Sequence, residues 1–153
     1  MEILDMFRKD NLIENLNNLI DKDAEVVSNL SNISRLLFET FNNTSWCGFY
    51  LVKKDCLYLG PYQGPIACTR IEYGNGVCGT AWKLSQSQVV ANVHEYPGHI
   101  ACSSKTNSEI VVPILKDDIV IGVIDLDSEE FDNFHEDDRV LLEKTADIIS
   151  KLI

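Results

Sequence analysis

Apolar positions recur at helical spacing over residues 12–41. Leu12, Leu16, Leu19 and Ile20 make one stripe, and Val26, Val27, Leu30, Ile33, Leu36 and Leu37 a second. Asp21-Lys22-Asp23 falls between the stripes, which predicts two helices rather than one. Asn42-Asn43-Thr44-Ser45 reads as a turn. Two β-like runs follow, 46–52 and 56–59, joined at Lys53-Lys54-Asp55 as a hairpin. Gly60-Pro61 and Gly64-Pro65 punctuate the next stretch, and 68–73 is a candidate strand. Gly74-Asn75-Gly76 leads into a predicted helix over 77–84, and Val89-Val90-Ala91 is short and extended. Residues 92–108 show no apolar period and read as a long loop, a kind of segment that is usually functional or disordered. Strong β patterns at 109–115 and 119–126 flank a turn at Lys116-Asp117-Asp118. The last helix is expected over 135–152, capped by Asp132 or Asn133, with Val140, Leu141, Leu142, Ala146, Ile148, Ile149 and Leu152 on its apolar side.

Hairpins imply antiparallel pairing, and helices at both ends and in the middle imply an α+β domain with a covered sheet. The organisation expected is one domain over 1–153: helices in 1–41, sheet in 46–127 and a closing helix in 135–152.

Composition narrows the function. With 45% apolar residues the chain can bury a core without metal or disulfide support. A net charge of −11 with no basic run argues against nucleic acid and anionic membranes as partners. No apolar run approaches the roughly 18 residues that suggest a membrane span. The acidic start, Met1-Glu2-Ile3-Leu4-Asp5, lacks the pattern of a secretory signal. Five cysteines, an odd number, fit a secreted disulfide framework poorly, so a cytoplasmic location is expected.

Three of those cysteines, Cys68, Cys78 and Cys102, lie in segments rich in Gly, Pro and His. In a cytosolic chain, clustered thiols point to redox or metal chemistry. Zinc sites favour short Cys-x₂₋₄-Cys pairs, whereas both gaps here are long, so no metal site is expected despite His94 and His99 near Cys102. For redox chemistry, Cys78 near a helix start and Cys102 just after His99 are the candidate reactive thiols. Cys47 and Cys56 sit in strand patterns and read as buried structural residues.

Glu109 opens a β-run, and Asp125 and Asp127 share one face of another. Two readings stand for these acids, and the pattern alone favours the first. They are solvated residues at a fraying strand end, or a buried group that receives a cationic amine or supplies a proton at raised pKa. Trp46 and Tyr50 likewise read as core by default, with an aromatic wall for a small ligand as the alternative. Trp82 is expected in the core and His135 as a solvated helix end.

The segments Trp46-Cys47-Gly48-Phe49-Tyr50, Gln63-Gly64-Pro65, Ala67-Cys68-Thr69-Arg70-Ile71, Gly76-Val77-Cys78-Gly79-Thr80-Ala81, Tyr96-Pro97-Gly98-His99-Ile100-Ala101-Cys102 and Ser108-Glu109-Ile110-Val111-Val112-Pro113 together closely resemble the free methionine-(R)-sulfoxide reductases, small GAF-domain enzymes. The resemblance runs from about Leu12 to the carboxyl end. It implies a GAF domain: a central antiparallel sheet, terminal helices on one face and a covered ligand pocket on the other. It also implies reduction of free L-methionine (R)-S-oxide, not of methionine within proteins, as protection and repair after oxidative stress. By the same resemblance Cys102 is the nucleophile, Cys68 its usual resolving partner, and Cys78 a further participant in disulfide exchange. Glu109, Asp125 and Asp127 become the acidic pocket residues and Trp46 and Tyr50 the aromatic ones. The reductant implied is thioredoxin, fed by NADPH and thioredoxin reductase, with no bound cofactor, and the assembly implied is a homodimer. A closed pocket would exclude peptides, with the 92–108 loop as its lid. Competing readings are a non-catalytic small-molecule-sensing GAF module and a thiol sensor that acts only through its disulfide.

Overall fold

The computed structural model describes residues 6–99 and 102–153. Residues 1–5, and Ile100 and Ala101 within the motif ending at Cys102, lie outside the described residues.

The two amino-terminal stripes form separate helices, α1 (Leu12–Leu19) and α2 (Val26–Thr40). The break between them is closed by one side chain of α2. Asn29 accepts from the Asp21 N–H at 2.9 Å and donates to the Asp21 carbonyl at 2.8 Å, which satisfies backbone groups freed where the first helix ends. Leu30, Ile33 and Leu37 are fully buried, but Val27, expected on the apolar stripe, is 58% exposed. It sits one position off the α2 seam.

A hairpin follows, β1 (Thr44–Lys53) and β2 (Cys56–Gln63). The second strand runs further than its apolar pattern suggests, through Gly60-Pro61. Two features make this possible. The β1–β2 register slips between Gly48 and Tyr50, and β3 (Arg70–Glu72) pairs only with residues 56–58, so Pro61 lies at a bulge on an open edge. The candidate strand at 68–73 shrinks to these three residues. Helix α3 (Gly76–Leu84) and strand β4 (Gln88–Val90) follow within a residue of expectation. The long loop contains one 3₁₀ turn, Val93–Glu95, held by Asn92, whose side chain accepts from the His94 N–H.

Strands β5 (Ser108–Lys116) and β6 (Ile119–Ser128) are joined at Asp117-Asp118, both at positive φ, as tight two-residue hairpins require. Helix α4 (Glu136–Ser150) is capped by His135, not by Asp132 or Asn133. Asp138 accepts from the His135 N–H while the His135 side chain accepts in return, and Asn133 instead donates to the Asn42 carbonyl. Val140, expected on the apolar side of α4, is 40% exposed.

The six strands form one antiparallel sheet in the order β3-β2-β1-β6-β5-β4. Period-2 alternation splits its side chains between two cores. Cys47, Phe49, Ile110, Val112, Ile124 and Leu126 pack under α1, α2 and α4. Trp46, Tyr50, Val111 and Val123 face the other way, with Val77, Cys78 and Ala81 of α3 and Val93 of the loop. Trp82, expected in the core, is only half-buried and meets Tyr73 edge-on at 4.9 Å. Among the described residues no helix is long and apolar enough to cross a membrane.

Candidate active site

Strand register assembles the acids. β6 lies between β1 and β5, so Asp127 faces Trp46 on one side and Glu109 on the other. Two residues along, Asp125 faces Val111 on one side and Gly48 on the other. The three carboxyls therefore share the α3 side of the sheet. Glu109 and Asp125 are buried, and Asp125 and Asp127 each carry one inaccessible oxygen with no hydrogen-bond partner among the described residues. The reading of these acids as a solvated strand end is thus overturned. Pairing with neighbouring strands keeps the segment ordered through Ser128.

Glu109 shares the pocket with both aspartates, close enough for their charges to act on it. Ionised carboxylates only accept, so any hydrogen bond between these acids requires a proton held within the group. Burial raises the pKa of Glu109 most, with the charges of Asp125 and Asp127 adding to it. Burial and the Asp125 charge likewise raise Asp127. Burial also raises Asp125, partly opposed by hydrogen bonds from Glu109 and Cys78. His99 places Nε2 at 3.9 Å from Glu109 Oε1, an ion-pair separation rather than a hydrogen bond. Burial, then neighbouring His94, lowers its pKa.

Above the acids stand the aromatics. Trp46 stacks on Tyr50 at 5.9 Å and on Tyr62 at 5.2 Å. Their polar tips hold the segment that carries Cys68: Trp46 Nε1 donates to the Pro65 carbonyl at 3.1 Å and the Tyr50 hydroxyl to the Cys68 carbonyl at 2.9 Å. Cys68 and Cys102 are joined as a disulfide, with a Cα separation of 5.8 Å. Cys68 is half-buried and Cys102 exposed.

Cys78 lies in the first turn of α3, buried, with its Sγ within 4.8 Å of a carboxyl oxygen of Asp125. Its position near a helix start would favour thiolate, but burial and then the charges of Asp125 and Glu109 push its pKa well above the ordinary range. In this state it is a poor nucleophile. Cys47 is fully buried against the helical face and Cys56 sits at the β2–β3 pairing, 3.2 Å from the Ile71 carbonyl, so both are structural as expected.

These groups enclose a cavity of about 320 Å³. Seven of the eight sequence-predicted site residues line it, Trp46, Tyr50, Cys78, Cys102, Glu109, Asp125 and Asp127, and the eighth, Cys68, lies behind the wall, bonded to Cys102. Sequence reasoning gave no role to Lys105 or Thr106, which also line it, or to Tyr62, which backs Trp46. Tyr62 was traceable only through the Gly48–Tyr62 pairing, which the slip in β1–β2 register decides. The cavity can take a small molecule with a cationic group at the acids and an apolar end against the aromatics, next to the Cys68–Cys102 disulfide.

The fold and this pocket define a GAF domain, and residues 25–153 match that family. A free methionine-R-sulfoxide reductase of Escherichia coli (strain K12) is 42% identical over 142 residues, covering 93% of this chain and 86% of the relative. The enzyme of that name from Saccharomyces cerevisiae is 43% identical, covering 87% and 78% of the two chains. The X-ray structure of the Neisseria meningitidis free methionine-R-sulfoxide reductase in complex with its substrate superposes with a TM-score of 0.89 at 41% identity, covering 99% of this chain and 90% of that one. The chain belongs to the free methionine-R-sulfoxide reductase family of GAF-domain proteins.

Proposed function

We propose that this protein reduces free L-methionine (R)-S-oxide to L-methionine, with thioredoxin as the source of electrons. The observation that carries the reading is the Cys68–Cys102 disulfide at the wall of a pocket with buried, partly unpartnered carboxyls. The Cys102 thiolate attacks the sulfoxide sulfur, and a proton held among Glu109, Asp125 and Asp127 goes to the departing oxygen. The sulfoxide gains two electrons and leaves as methionine, and its protonated oxygen passes to the Cys102 sulfur, which becomes a sulfenic acid. The Cys68 thiol displaces its hydroxyl as water and closes the disulfide. A thioredoxin dithiol then restores both thiols by exchange, and is itself oxidised.

In this reading the unpartnered oxygens of Asp125 and Asp127 receive the substrate ammonium, and Trp46 and Tyr50 hold its S-methyl end. Cys78, buried beneath the acids, serves at most as a secondary exchange partner. The homodimer implied by the family belongs to the same proposal and is read from the sedimentation of the purified protein.

The test is NADPH oxidation coupled through thioredoxin reductase and thioredoxin, with three substrates: free methionine-R-sulfoxide, its S epimer and the N-acetylated R form. Turnover of the free R form alone is expected. Equal turnover of the N-acetylated form would remove the role given to the acids. No turnover with reduced protein would leave a disulfide sensor.

A further inference from the structure

Cys78 remains a thiol while Cys68 and Cys102 are joined. Its Sγ, a carboxyl oxygen of Glu109 and a carboxyl oxygen of Asp125 lie within 4.8 Å of one another, and all three residues are buried. They come from three elements, α3, β5 and β6, so no sequence spacing announces the group. Asp125 is only 5% exposed, yet its Oδ1 has no hydrogen-bond partner among the described residues, and it lines the cavity. A buried acceptor left open in this way needs a partner from the cavity, which a bound cation supplies.

We propose that Cys78, Glu109 and Asp125 form a site for one thiophilic divalent cation, of which Zn²⁺ fits best. Zinc bonds of about 2.0–2.3 Å to oxygen and sulfur place neighbouring tetrahedral ligands roughly 3–4 Å apart, which small side-chain rotations reach from the observed spacing. Three protein donors with the cavity at the fourth position match an open four-coordinate site. The thiolate selects Zn²⁺ over Mg²⁺ or Ca²⁺, which require more oxygens than this group offers. On binding, the thiol proton and any proton held by the two carboxyls pass to solvent. Cys47 and Cys56 do not compete, because one faces the helical core and the other the β3 edge. Binding the cation occupies the open Asp125 oxygen, so metal and an ammonium ligand exclude each other. That consequence alone rests on the reductase reading.

The experiment uses the full-length oxidised protein, stripped of metal and titrated with Co²⁺ as the spectroscopic probe and then with Zn²⁺. The expected result is one Co²⁺ per chain with a sulfur-to-cobalt charge-transfer band, displaced by Zn²⁺. In Cys78→Ser the band is lost and Zn²⁺ affinity falls at least about tenfold, the lower bound for losing even an outer-shell partner. Cys56→Ser keeps both. The other cluster of metal-binding type among the described residues, His135, Asp137 and Asp138, has no sulfur and cannot give the band. A wild-type titration without the band, or a band that survives in Cys78→Ser, overturns the proposal. The wild-type reading needs no variant to fold, and it stands or falls separately from reductase activity.

Discussion

Glu109 is buried beside two other carboxyls, and that arrangement has a measurable signature. Its pKa in the folded protein is raised, so folding favours the protonated form. The stability this contributes is full below the ordinary carboxylate range and is lost as pH rises through the folded pKa. Glu109→Gln removes this dependence. Its melting temperature relative to the wild type should therefore climb between pH 4 and pH 8, and parallel profiles would show that the acids are not desolvated. At the other end of the pocket, Cys102→Ser should abolish sulfoxide turnover by at least about 10³-fold, as loss of a nucleophile does, with near-wild-type circular dichroism. Retained turnover would place the nucleophile elsewhere. At this scale the sequence named the cysteines, the acids and two of the aromatics, but not Tyr62, Lys105 or Thr106. Its pattern alone favoured solvated acids, wrongly, because an acid at a strand end reads alike whether solvated or enclosed.

Among elements, β1 carries the tightest constraint. Gly48 lies opposite Asp125, and a Cβ there would overlap Tyr62 and come within 2.8 Å of Trp46. Gly48→Ala should therefore destabilise the fold by about 1–3 kcal/mol, as overpacking does, and loosen the aromatic wall. Urea unfolding with tryptophan fluorescence reads both effects, and an unshifted midpoint would mean the hairpin can separate at low cost. At the far end of the chain, buried Asp138 accepts from the His135 N–H and pairs with Lys9, which ties the amino-terminal segment to α4. Asp138→Ala should lose about 1–2 kcal/mol, the range for a lost helix cap, while turnover per folded molecule is unchanged. The capping residue was misplaced from the sequence because Asp132, Asn133 and His135 all suit a helix start. The choice fell to backbone geometry: Asp132 takes a positive φ, and Asn133 reaches across to Asn42.

For the whole molecule, the Cys68–Cys102 bond closes a loop with a sequence separation of 34 and fastens Cys102 to the β2–β3 connection. Loop-closure entropy predicts that reducing it lowers stability by up to about 4 kcal/mol. Urea titrations with and without reductant check this. Equal midpoints would mean the Trp46 and Tyr50 hydrogen bonds already hold the Cys68 side in place. The sequence by itself determined the α+β class, nearly every helix and strand, and the family, since these depend on local periodicity, turn chemistry and contiguous motifs. Tertiary structure decided which face each strand presents, how far β2 continues past Gly60-Pro61, and that Cys78 meets Glu109 and Asp125. Those outcomes depend on register between distant strands. One slipped pairing at Gly48 sets the stack behind Trp46, and no local pattern encodes it.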